Sequence, residues 1–108
     1  MNIRYQYAKG RVAEGVQELC TSPGDVRSRL LAANDAMLSL NSSHFPQPLQ
    51  SKWDEIMNMM TKYGPAKDFE GQVWQGAIAH TMRRIKNSTG VKIASDLWEL
   101  HQILQSEY

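Results

Sequence analysis

The chain has 108 residues, 42% of them hydrophobic and 21% charged, and is low in Gly and Pro, which is the make-up of one ordinary globular domain. At this length about 60–70% of the unfolded chain's surface can be buried, so a core can form without metal or disulfide staples. A net charge of +1 supplies no broad field for nucleic acid or an anionic membrane, the single Cys20 excludes an internal disulfide, and no apolar run has the length of a signal peptide or membrane span.

These features predict a cytoplasmic protein without membrane contact. The apolar spacing predicts a single all-α domain over residues 1–108, a compact bundle of about five helices with short loops. In the first helix, residues 4–20, Tyr5, Ala8, Val12, Val16 and Leu19 share one face while Ile3 and Tyr7 fall opposite. The alternation over residues 3–7 also fits a short strand, but the pattern offers it no partner strand, and whether residues 1–8 are helical stays open. Cys20 at the end of this helix reads as a half-buried, inert thiol.

Thr21-Ser22-Pro23-Gly24-Asp25 reads as a helix start, with Ser22 as cap, Pro23 in the first position and Asp25 adding a carboxylate to the first turn. The second helix is expected to reach Leu40. Its main stripe is Val26, Leu30, Ala33, Met37 and Leu40, and Leu31 and Leu38 form a second seam that widens the apolar arc to about half the circumference. Such a helix is central or carries an interface. After the polar break NSSHFPQ, Pro48 opens a third helix with Leu49, Trp53, Ile56, Met60 and Tyr63 inward, closed by Gly64-Pro65.

A fourth helix is expected from Asp68 or Phe69 to Lys86, burying Trp74, Ile78, Thr81, Met82 and Ile85, with Gly71 and Gly76 inside it. The fifth runs from Ser88 or Thr89 to Ser106, with Ile93, Leu97, Leu100 and Leu104 inward. The junction MRRIKNSTGVK gathers Arg83, Arg84, Lys86 and Lys92. Cations in a helix's last turn offset its dipole, and Ser88, Thr89 and Gly90 can cap the junction, so a structural role explains them first. The same cations with the amides opening helix five could also hold a phosphate or nucleic acid. A helix-turn-helix with Gly90 in the turn fits poorly, because Lys86 and Asp96 stand where packing residues belong.

No metal or cofactor site is expected. A bundle di-metal site needs Glu-x-x-His, but Ala77 stands three before His80 and Trp98 three before His101; His101 reads as a satisfied core residue, His80 as a boundary residue and His44 as a loop residue. No nucleophile stands beside a His and an acid by spacing, and no phosphate cradle appears, so no enzyme is expected. Leu31, Leu38, Met59 and Ile103 fit no core stripe and form a candidate contact patch. The sequence therefore favours a helical protein-interaction or regulatory module that binds a protein partner or itself as a homodimer, with nucleic-acid binding through Arg83, Arg84, Lys86 and Lys92 as the alternative.

Overall fold

The computed structural model describes residues 3–108. A single 3-10 turn, Ile3–Tyr5, leads into α1, Gln6–Thr21, whose Ala8, Val12 and Val16 are buried along one face. The helix α2, Val26–Ala36, is capped by Asp25, whose side chain accepts from the amides of Arg27 and Ser28. The expected cap, Ser22, instead gives its hydroxyl to Glu18 at 2.7 Å. Gly24 separates the two at φ 94, so Pro23 and Gly24 form the turn between helices and Asp25 is the first residue placed to cap.

α2 ends at Ala36 rather than Leu40. The Met37 amide is shared between the carbonyls of Ala33 and Asn34, and the chain then turns with Leu40 N donating to Met37 O. The main stripe survives this, since Val26, Leu30, Ala33, Met37 and Leu40 are all buried. The second seam does not survive as one helical stripe, because Leu38 lies past the helix end. α2 packs against α1, α4 and α5, and so occupies the centre of the bundle.

Asn41 caps a second 3-10 turn, Ser42–His44, through a reciprocal capping box in which the His44 ring accepts from the Asn41 amide. α3, Gln47–Met60, starts with Pro48 in its first turn and buries Leu49, Trp53, Ile56 and Met60; Trp53 stacks on Phe45 at 4.8 Å between centroids. Gly64, at φ 64, reverses the chain after it. Tyr63 is outside the helix and 41% exposed.

The largest departure from the sequence reading lies between residues 66 and 76. Instead of the start of a helix, this segment is an antiparallel hairpin of β1, Ala66–Lys67, and β2, Val73–Gln75. Gly71 N donates to Asp68 O at 3.1 Å, Asp68 N donates to Gln72 O at 2.9 Å, and Gly71 takes φ 81, a turn followed by a glycine bulge. The Asp68 carboxylate fixes the turn by accepting from the amides of Glu70 and Gln72. Trp74, expected in the core, is therefore 60% exposed.

The helix α4 is short, Ala77–Arg84, with Gly76 at its N-cap and Thr81, Met82 and the following Ile85 buried. Thr81 Oγ1 accepts from Tyr63 N at 3.1 Å and the His80 ring bonds Gly64 O at 2.8 Å, tying α4 to the end of α3. α5, Asn87–Glu107, packs against α1, α2 and α3 and buries Ile93, Leu97, Leu100 and Leu104. Its Gly90 is in the first turn and not in a loop: a β-carbon there would lie 2.8 Å from Val26 Cγ1, so the missing side chain lets α5 close on α2. Among the described residues, no helix is long and apolar enough to cross a membrane.

Candidate functional site

The basic junction is assembled differently from its reading in the sequence. Lys86 takes the N-cap position of α5 in extended backbone and offers no side-chain cap, so Ser88, Thr89 and Gly90 are already helical. Lys92 is tied to Asp96 one turn on, at 3.2 Å. Arg83 and Arg84 turn towards aromatic rings. The Arg83 guanidinium carbon lies 5.4 Å from the Trp74 ring centre and Nη1 donates to Gln75 Oε1 at 3.1 Å; that of Arg84 lies 4.7 Å from the Tyr63 ring centre. Arg27 of α2 also reaches the junction, donating to Ile85 O at 3.2 Å and pairing with Asp25 at 2.9 Å.

The four apolar candidates are divided as well. Leu31 packs against the core and borders a cleft of about 280 Å³ between α2 and α4 with Met82 and Arg83. Leu38, 73% exposed, borders a separate depression with Arg11 and Asp35. Met59 on α3 and Ile103 on α5 are partly buried against the core. Only Leu38 therefore offers a broad free surface.

Two surfaces lay outside the sequence reading. The first is the hairpin. Phe69 at its tip is fully exposed, and Val73 and Trp74 are 55% and 60% exposed, three solvent-facing apolar side chains on an element of two short strands. Lys62, Arg83 and Arg84 stand at its base, where Lys62 also lies 5.6 Å from the Tyr63 ring centre, while Asp68 and Glu70 occupy the tip. Arg83 links the hairpin to α4 through both Trp74 and Gln75.

The second is a trough along α5. Leu19, Val26, Val91 and Ala94 wall a cleft of about 340 Å³, joined by Arg29 and by Trp98, which is 49% exposed. Beyond Trp98 a second cleft of about 410 Å³ is lined by His101, Gln102 and Gln105. The His101 ring tilts against Trp98 at 5.5 Å, and burial pushes its pKa below the ordinary 6.5. Its Nδ1 is buried with no hydrogen-bond partner, so the expectation of a satisfied core histidine is corrected. The signal for this trough was present in the spacing of Val91, Ala94, Ser95 and Trp98, a second stripe beside the buried one.

Compared with family models, curated proteins and solved structures, the chain matches none.

Among the described residues no three His, Cys, Asp or Glu side chains gather as a metal set. Cys20 is exposed and unbridged, not half-buried as its place beside Leu19 implied, because the α1 stripe turns Val16 and Leu19 inward.

Proposed function

We propose that the chain is a small, non-catalytic interaction module of the cytoplasm that acts by binding protein, in the first place a second copy of itself through the hairpin of residues 66–75. The observation that carries this reading is the exposure of Phe69, Val73 and Trp74 together on that hairpin. Two strands alone are marginal in water, and an exposed strand edge is a template for another strand. The charges are self-complementary. With two hairpins antiparallel across a two-fold axis, each acidic tip, Asp68 and Glu70, meets the partner's basic base, Lys62, Arg83 and Arg84, and the apolar side chains close on one another.

A charge-reversal pair tests this. Glu70→Lys with Gln72→Lys makes the tip basic, and Lys62→Glu with Arg84→Glu makes the base acidic; Asp68 is spared because it holds the turn. Each variant alone is expected to be monomeric, and an equimolar mixture to form heterodimers by native mass spectrometry. A mixture that stays monomeric while the wild type dimerises contradicts this arrangement of the hairpins, and a monomeric wild type contradicts self-pairing altogether.

One observation favours a second reading, nucleic-acid binding. Cations alternate with exposed rings around the base of the hairpin, Arg83 over Trp74 and Lys62 and Arg84 over Tyr63, and single-stranded binders combine such rings with basic tracks. This reading predicts binding of mixed-sequence single-stranded DNA or RNA at about 50 mM salt that weakens steeply at higher salt. No binding at low salt removes it.

A further inference from the structure

Among the described residues, two buried side-chain nitrogens have no hydrogen-bond partner, Arg29 Nε and His101 Nδ1. Both residues border the trough on α5, one on each side of Trp98. Within the described residues the chain itself supplies neither group with a partner, and the two lie on one surface. The charge pattern says what kind of group Arg29 would take. Arg29 makes one long contact, Nη1 to Leu19 O at 3.4 Å, and has no carboxylate partner among the described residues, whereas Arg11, Arg27, Lys52 and Lys92 each have one. Among the described residues, no carboxylate lines either cleft. A guanidinium half out of water, in an apolar surround without an acid, attracts an anion more strongly than a solvated one does.

We infer that this trough is a docking site for an amphipathic helix of a partner protein that carries a carboxylate opposite Arg29. The two clefts are centred about two helical turns apart along α5, roughly 11 Å at 1.5 Å per residue, which is the spacing of side chains i and i+7 on an incoming helix. Trp98 stands between them as the ring against which the intervening turn packs. A small amphiphile fits less well, since small-molecule sites enclose most of their ligand and this trough is floored only by α1, α2 and α5. The site shares no lining residue with the hairpin, so it does not depend on self-pairing.

The test is a selection of random 16-residue peptides displayed on phage, with the full chain as bait and Trp98→Ala as the counter-bait. Trp98 is half exposed, so that variant is expected to keep its circular dichroism and melting temperature. The site predicts enriched peptides with apolar residues at i, i+3 or i+4 and i+7 and an Asp or Glu at a fixed offset. Synthetic copies should bind Trp98→Ala at least ~10-fold more weakly. On Arg29→Gln the acidic peptide and its amide analogue should bind equally, while on the wild type the acidic form is tighter. No enrichment over the counter-bait, or enriched peptides without a conserved acid, or an acidic preference that persists in Arg29→Gln, would overturn the proposal.

Discussion

Gly90 approaches Val26 so closely that a β-carbon at position 90 would stand 2.8 Å from Val26 Cγ1, whereas a β-carbon at Gly10, on α1, would meet nothing within 4 Å. Two glycine-to-alanine changes on helices should therefore have opposite signs. Gly10→Ala gains helix propensity and is expected to stabilise by up to ~1 kcal/mol. Gly90→Ala forces α5 off α2 and is expected to destabilise by about 1–3 kcal/mol, partly restored by Val26→Ala. Urea denaturation of the four chains checks this, and a stabilised Gly90→Ala would mean that the two helices do not close there.

The two leucines of the apparent second seam should separate in the same assay. Leu31 packs against the core beside Met82, so Leu31→Asp is expected to cost about 1–3 kcal/mol. Leu38 is 73% exposed past the helix end, and Leu38→Asp should stay within ~0.5 kcal/mol and leave the oligomeric mass unchanged. A drop in mass for Leu38→Asp would place the contact surface at the α2 end and away from the hairpin.

Stability should also fall on mild acidification through His101. Burial holds its folded pKa below the ordinary 6.5, so above that pH both folded and unfolded chains carry it neutral. As pH drops through 6.5 the unfolded chain takes up the proton first, and the contribution is lost progressively until the folded pKa is passed. His101→Gln should flatten the urea midpoint between pH 7.5 and 5 relative to wild type. An unchanged slope would mean that His101 makes no such contribution.

Helices α3 and α5 were legible because their buried residues repeat at three and four, Leu49, Trp53, Ile56, Met60 and Ile93, Leu97, Leu100, Leu104, and nothing in tertiary packing competes with that spacing. The hairpin was misread for the same reason. Trp74, Ile78, Thr81, Met82 and Ile85 continue one helical stripe, but the Asp68 side chain and the positive φ of Gly71 favour a turn that the stripe does not encode. Asp-x-x-Gly followed by Val73-Trp74 was the signal available. Charge destinations were less legible still: that Arg83 and Arg84 face rings and Lys92 faces Asp96 depends on where the hairpin and Tyr63 sit, which no local spacing specifies. The Trp98 trough lay partly hidden because Leu19, Val26 and Arg29 come to it from two other helices.

The hairpin itself should be separable from the bundle. Gly71→Ala strains a φ of 81, at a local cost of about 1–2 kcal/mol, in an element with only Ala66 buried. The melting temperature should barely move, while amide exchange at residues 66–75 accelerates and self-association weakens. A large fall in melting temperature would make the hairpin part of the core.

Sedimentation equilibrium over a wide concentration range tests the central claim most directly, on the wild type and on Phe69→Ser with Trp74→Ser. Pairing through the hairpin predicts a wild-type mass that rises from monomer to dimer and a variant that stays monomeric with its helical spectrum intact. A wild type that remains monomeric throughout, or a variant that dimerises as well as the wild type, would contradict it.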